Sequence, residues 1–126
     1  MPFLTAEGNA ILNHMLREAA YTPAEALYLS LHTGDPGQNG ANEVTGGSYV
    51  RQAITFDAAD AKKCESSADI EFEGMPAATV SHVALWDDDS EGNVKWAGGL
   101  AASKAVPAGE TLRFKAGEVT VELDPA

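Results

Sequence analysis

The chain has 126 residues and a formal net charge of -11, with 19 acidic side chains against 8 basic ones. Nucleic acids and anionic lipids are bound through clustered Lys and Arg, so this charge balance argues against both as partners. The single cysteine, Cys64, excludes a disulfide framework, and the apolar stretches are far shorter than the roughly 20 residues of a membrane helix.

The N-terminal segment, residues 1–22, is predicted to be helical, with Thr5 as its N-cap and Pro23 closing it. Apolar residues recur there at helical spacing and line one face. A helix of this length is marginal alone in water, so the face is expected to be buried against the rest of the chain or a neighbouring subunit. Four residues of the face are the candidate partner contacts: Ile11, Leu12, Met15 and Leu16.

After Pro23 the apolar pattern changes from the helical period to the alternation of strands. No helical pattern separates the strands, which favours an antiparallel β-sandwich, jelly-roll-like, over residues 26–124 with one N-terminal α-helix. The whole chain, residues 1–126, is predicted to be a single domain. Arg51 is expected to form a structural ion pair with a carboxylate. The predicted strands are 26–32, 49–56, 68–72, 78–86, 94–98, 100–106, 111–114 and 118–123.

A short acidic run lies in the polar loop between two predicted strands and forms a possible surface-loop site. Its alternating carboxylates resemble the start of a calcium loop, but the twelfth position is Gly98 where a bidentate Glu is needed. A solvated hairpin tip is therefore the favoured interpretation, and calcium binding stays open. The acidic residues are Asp87, Asp88, Asp89 and Glu91.

Two tryptophans flank this acidic loop. Trp86 and Trp96 are expected as cross-strand neighbours, and paired rings beside carboxylates are a possible sugar-binding platform. Packing of both rings in the core is the favoured interpretation.

No catalytic or cofactor-binding pattern is visible in the sequence. His14, His32 and His82 are far apart, and Cys64 stands in no nucleophile signature. Phosphate-binding glycine loops and the G-x-S-x-G turn are missing as well. We therefore expect a protein that is not an enzyme and that has no cofactor and no resident metal.

Four motifs in order carry a resemblance that covers nearly the whole chain. They are LSLHTGDPG at 29–37, EVTGGSYVRQ at 43–52, ATVSHVALWD at 78–87 and KAVPAGETL at 104–112. The chain resembles a family of small tailed-bacteriophage proteins that are usually labelled tail-fibre or minor virion proteins. The resemblance implies a structural part of the virion, assembled in the host cytoplasm, with other virion proteins as partners.

Two virion roles remain open at this point. Fibre shafts usually have heptads or other repeats, and this chain has none, which favours a capsid decoration (cement) protein bound to the major capsid protein. Such a protein is expected to be a homo-oligomer, with a trimer at a three-fold lattice point as the favoured form. The alternative is a tail-fibre or tail-tip component that binds tail proteins and a host surface glycan.

Overall fold

The computed structural model describes residues 4–122, which form one helix and eight strands. Element bounds in chain order are α1 (Thr5–Arg17), β1 (Leu27–His32), β2 (Gln52–Ile54), β3 (Lys63–Glu65), β4 (Ile70–Phe72), β5 (Ala78–Trp86), β6 (Val94–Val106), β7 (Leu112–Phe114) and β8 (Thr120–Glu122).

All strand pairs are antiparallel. The largest sheet has four strands in the order β2-β1-β5-β6, and two smaller pairs, β3-β8 and β4-β7, complete the fold. The main apolar core draws on the four-stranded sheet and on both smaller pairs. The prediction of a mainly β, antiparallel, sandwich-like fold with one N-terminal helix is confirmed.

The main core is built from the strand faces that the alternating pattern predicts. Leu29 and Leu31 of β1 pair with Leu85 and Val83 of β5, and these side chains point to the same face of the sheet. Opposite them, Phe72 and Phe114 meet edge to face with ring centroids 6.3 Å apart. An edge-to-face aromatic pair of this kind contributes about 1 kcal/mol beyond its buried area.

The other face of the large sheet is also covered, which the sequence pattern did not predict. Ser30 and His32 of β1 are fully buried there, although the alternation indicates a half-buried strand with polar residues in solvent. A second apolar cluster around Trp86 and the N-terminal Leu4 packs on this face. The loop at 33–42 lies against it as well, since a Cβ built at Gly40 would overlap the Trp86 ring.

The helix ends earlier than predicted, and Thr5 is not its N-cap. Leu4 precedes the first helical residue with extended backbone, and its carbonyl accepts the N–H of Gly8 at 2.8 Å. Thr5, predicted as the N-cap, is already helical, and its N–H donates to Gln38 Oε1 at 3.0 Å. The helix ends at Arg17 because Glu18 adopts the left-handed conformation, with φ 58°.

Several strand predictions are also corrected, and one strand was missed. Residues 94–98 and 100–106 form one long strand, β6. It stays paired with β5 on both sides of a register shift between Val80 and His82. The strand predicted at 49–56 is reduced to β2. The strand β3 was missed, because Lys-Cys-Glu carries no apolar alternation and is held by its pairing with β8 and by a bridge between Lys63 and Asp60. The last predicted strand position, 123, lies outside the described residues.

Candidate functional site

The apolar face of α1 points into solvent. The exposed fractions of Leu12, Met15 and Leu16 are 55%, 74% and 70%, and Ile11 is half-buried. The sandwich does not cover this face, since no residue of the helix is buried, and burial against a neighbouring subunit stays a prediction. Within residues 4–122, no helix is long and apolar enough to cross a membrane.

The helix is attached to the sandwich mainly through its N-terminal end. The N–H of Leu4 donates to the carbonyl of Lys95 at 3.3 Å, and the Lys95 ammonium lies 3.3 Å from the Glu7 carboxylate. Tyr21 folds back to donate its hydroxyl to Glu7. Burial, and then the bond and charge of Glu7, raise the pKa of Tyr21 to about 12. These contacts fix the direction of the helix and leave its apolar face uncovered.

The acidic loop at 87–93 is an exposed tip that holds itself together through local hydrogen bonds. Asp88 Oδ1 accepts the N–H groups of Ser90 at 3.0 Å and Glu91 at 3.2 Å, and Asp87 accepts that of Asn93 at 2.7 Å. These backbone bonds lower the pKa of Asp88, the Ser90 bond most. Asp88, Asp89 and Glu91 are exposed, as a solvated tip requires.

The same loop gives no sign of a metal centre. Two of its carboxylates are occupied by backbone N–H groups, and Asp87 also lies 3.8 Å from the Lys95 ammonium. Gly98, the position where a calcium loop needs Glu, is buried inside β6. In the part of the chain that the structure describes, no three His, Cys, Asp or Glu side chains are grouped to hold a metal ion.

Arg51 holds the acidic loop against the sheet. Its guanidinium donates to both carboxylate oxygens of Glu43 at 3.0 Å and to the carbonyls of Asp88 and Glu91 at 3.1 and 2.9 Å. It also stacks on Trp86, 3.6 Å from the ring centroid. The predicted ion pair is confirmed. The hydrogen bonds from Arg51 to two carbonyls of the loop were not predicted, because nothing in the sequence indicates that residue 51 lies beside residues 88–91.

Tyr49 extends this network into the core. Its hydroxyl donates to Glu43 Oε2 at 2.8 Å and accepts the N–H of Leu31 at 2.9 Å. Burial, and then the neighbouring Glu43 carboxylate, raise the pKa of Tyr49. Burial alone would raise the pKa of Glu43, but the bonds from Arg51 and Tyr49 outweigh it and lower that pKa. Glu43 therefore stays ionised and holds Arg51 in place.

The two tryptophans do not form a sugar platform. A register shift between Leu85 and Trp86 places Val94 opposite Trp86, while Trp96 stands opposite Leu85. The rings consequently belong to the two different apolar clusters, with 7% of Trp86 and 3% of Trp96 exposed. The expected cross-strand pair is wrong, and the favoured interpretation, that both rings pack in the core, is confirmed.

A buried polar chain runs under Trp86. The indole N–H of Trp86 donates to Ser30 Oγ at 2.7 Å, and the Ser30 hydroxyl lies 2.7 Å from His32 Nε2. His32 Nδ1 lies 2.7 Å from the carbonyl of Ala41. Because a carbonyl only accepts, Nδ1 carries the proton and Nε2 accepts from Ser30. Burial lowers the pKa of His32, which favours this neutral form.

The Ser30–His32 pair has the spacing of a nucleophile and its base, but it is sealed off. Both residues are 0% exposed, and the Ser30 oxygen already accepts the indole N–H of Trp86. A substrate carbonyl needs direct access to the attacking oxygen. The pair therefore serves to satisfy buried polar groups and to fasten the loop at 33–42.

A cleft of about 300 Å³ opens between β6 and residues 118–122. The buried Trp96 lines it, and within residues 4–122 the indole N–H of Trp96 has no hydrogen-bond partner. A buried donor left unsatisfied costs about 1–3 kcal/mol. Polar and apolar side chains share the wall of the cleft: Leu100, Phe114, Glu118, Val119, Thr120 and Glu122.

A protein-family model described as "Podophage GP4 fiber I protein gp80" matches residues 2–122 of the chain. The match covers the helix, all eight strands and the four sequence motifs. It confirms the resemblance to fibre-type proteins of tailed bacteriophages. No curated protein matches the sequence closely enough to count as a relative.

Proposed function

Because the chain belongs to the Podophage GP4 fiber I protein gp80 family, we propose that it is a non-enzymatic fibre component attached to the phage tail. Membership of a phage fibre family indicates a virion structural protein that associates with other virion proteins. The finer assignment to the tail rests on the family description, which names a fibre. The capsid decoration role, favoured by the sequence alone, has less support and stays an alternative prediction.

The observation that carries the attachment proposal is the uncovered face of α1. Leu12, Met15 and Leu16 are each more than half exposed, whereas a soluble chain normally turns such a stripe inward. The face lies on a helix that is attached to the sandwich mainly through its N-terminal end. We therefore assign it to docking on another protein of the virion.

The net charge of the chain and the small area of the helix face favour a different virion protein, and not a second copy of this chain, as the partner that binds the face. Each copy carries a net charge of -11, so two copies repel each other. A few side chains on two turns of helix also bury far less than the roughly 800 Å² that each partner contributes to a stable complex. A less acidic partner with an apolar groove would supply the remaining contacts. The trimer expected from the sequence stays a prediction.

The test compares two sets of exposed apolar residues. Met15→Gln combined with Leu16→Gln removes apolar contact from the helix face without changing the charge, and Val50→Gln does the same at an exposed site outside the helix. Both variants should unfold within about 0.5 kcal/mol of the parent chain, because the residues are exposed. Only the helix variant should lose incorporation into particles, by about tenfold, measured by mass spectrometry of purified virions.

Equal incorporation of the helix variant and the Val50→Gln control would refute docking through α1. The oligomeric state of the free protein, measured by light scattering, separates the two occupants. A monomer fits docking on another virion protein, whereas a stable trimer lost on helix substitution would show that the face binds copies of this chain.

A further inference from the structure

The cleft beside β6 lies between the edges of two strands. β6 is the outer strand of the four-stranded sheet, and within residues 4–122 it pairs with β5 alone. In the same part of the chain β8 pairs with β3 alone, so its other side has no neighbouring strand either. Both strands line the cleft, β6 through Gly99 and Ala101 and β8 through Thr120 and Glu122. The cleft therefore separates two strand edges that are not paired with each other.

The register of the sheet shows which backbone groups of β6 face the cleft. In an antiparallel pair, successive residues turn their N–H and C=O groups alternately toward the partner strand and away from it. Both groups of Leu31 in β1 are bonded to residues outside β5, so Leu31 does not bond Val83, the residue opposite it. Val83 therefore turns toward β6 and bonds Gly98. The next residue, Gly99, turns its N–H and C=O away from β5, on the side of the cleft.

The same argument applies to β8 on the opposite side of the cleft. The N–H and C=O of Lys63 in β3 are both bonded to Asp60, and the carbonyl of Glu65 is also bonded outside β8. The residues opposite them in β8 are Glu122 and Thr120. By the alternation of an antiparallel pair, these two residues turn their backbone groups away from β3. Because both line the cleft, backbone groups without a strand partner face it from two sides.

We propose that an extended segment of another virion protein binds in this cleft as an added β-strand between β6 and β8. An extended chain carries N–H and C=O groups along both of its edges, and one inserted strand would bond Gly99 on one side and Thr120 and Glu122 on the other. The site lies apart from the helix face and goes beyond its docking. It rests on the proposed function only in taking the added strand from the virion.

The lining of the cleft indicates the side chains of the added strand. Successive side chains of a strand point to opposite sides. Trp96, Phe114 and Val119 are buried and line the cleft, so apolar side chains fit on that side of the strand. Glu118 is already bonded within the chain, which leaves Glu122 as the remaining negative charge of the lining. Together with the net charge of -11, this favours basic side chains on the other side and disfavours a segment of a second copy.

Amide hydrogen exchange of the full chain, followed by NMR, tests whether the two edges are free. The amides of Gly99, Thr120 and Glu122 should exchange quickly, whereas those of Gly98 and Val121, which bond β5 and β3, should exchange slowly. Slow exchange at Gly99, Thr120 and Glu122 would show that the chain itself already closes the cleft, and it would overturn the inference.

The binding test adds a synthetic peptide, acetyl-Lys-Val-Lys-Val-Lys-Val-amide, to the full chain. Bound peptide should slow the exchange of Gly99 and Thr120 at least tenfold. Two comparison peptides should bind at least tenfold more weakly: one with Glu in place of Lys, and one with methylated valine nitrogens, which lacks the N–H groups along one edge. Absence of protection by the first peptide, or equal binding of either comparison peptide, would overturn the inference.

A matched pair of proline substitutions locates the binding. Thr120→Pro removes an N–H that faces the cleft and should weaken peptide binding at least tenfold. Ala53→Pro makes the same change at an exposed residue of β2, the opposite edge of the large sheet, and should leave binding unchanged. If Thr120→Pro does not fold, Ala101→Trp replaces it, since it fills the cleft from an exposed position of β6.

Equal peptide affinity in the cleft variant and in Ala53→Pro would refute strand addition at this site. The Met15→Gln and Leu16→Gln double variant should bind the peptide like the parent chain, because α1 does not line the cleft. Peptide binding is measured on the isolated chain and incorporation on purified virions, so a failed strand site and a failed fibre assignment are told apart.

Discussion

Replacing Arg51 with Met should cost about 3 kcal/mol of the free energy of unfolding. The substitution keeps the apolar stem on Trp86 but removes the guanidinium, whose side chain is only 7% exposed. It breaks the two-bond pair with Glu43 and frees the carbonyls of Asp88 and Glu91. Removing one partner of a buried ion pair costs roughly 3–5 kcal/mol. Because the Glu43 side chain keeps some contact with solvent, we expect a cost at the lower end of that range.

The assay is urea unfolding at neutral pH, with Arg113→Met as the control. Arg113 pairs with Glu71 on the surface, where its side chain is 53% exposed, so its loss should cost less than about 1 kcal/mol. A double-mutant cycle with Glu43→Gln should then show a coupling of about 2 kcal/mol between residues 43 and 51. Equal destabilisation by the Arg51 and Arg113 substitutions would refute the argument that Arg51 clamps the loop.

Three further predictions use the same assay or thermal melting. Because the pKa of His32 is lowered in the folded state, the unfolded chain binds a proton near pH 6.5 that the folded chain does not. The free energy of unfolding should therefore fall as the pH drops through 6.5. In His32→Gln the fall should be less steep. Asp88→Asn with Asp89→Asn should change stability by less than about 1 kcal/mol, and equal melting midpoints with calcium and with chelator would end the calcium hypothesis. Gly40→Ala should lower the free energy of unfolding by roughly 2–4 kcal/mol, because the φ of Gly40 is +74° and the new Cβ would overlap the ring of Trp86. Gly37 has φ +59° but open space around it, so Gly37→Ala should lower it by only about 1 kcal/mol. Equal costs at the two glycines would show that the loop at 33–42 does not pack on the sheet.

The sequence predicts the central strands well because their apolar residues repeat along one chain segment. β5 has the predicted bounds, and β1 differs by one residue. The short strand β3 has no such repeat, and its pairing with β8 joins residues far apart in the sequence. Local pattern is therefore sufficient where a strand buries its own apolar face and insufficient where long-range pairing decides.

The candidate sites were harder to predict than the central strands, because they are formed by contacts between residues far apart in the sequence. The apolar face of α1 is visible as a periodicity, but the period does not say whether the sandwich or a partner covers it. The burial of Trp86 and Trp96 was predicted, but their separation into two clusters was not, because one register shift sends the two rings to opposite faces of the sheet. The cleft joins β6 to residues 118–122, and no motif marks that juxtaposition.

Cryo-electron microscopy of the intact phage particle would show where in the virion this protein lies. We expect the fold of residues 4–122 to fit density on the tail, with the α1 face of Leu12, Met15 and Leu16 covered by a different virion protein. Density for this fold on the capsid lattice, at points between major capsid subunits, would contradict the fibre assignment and establish the decoration role in its place.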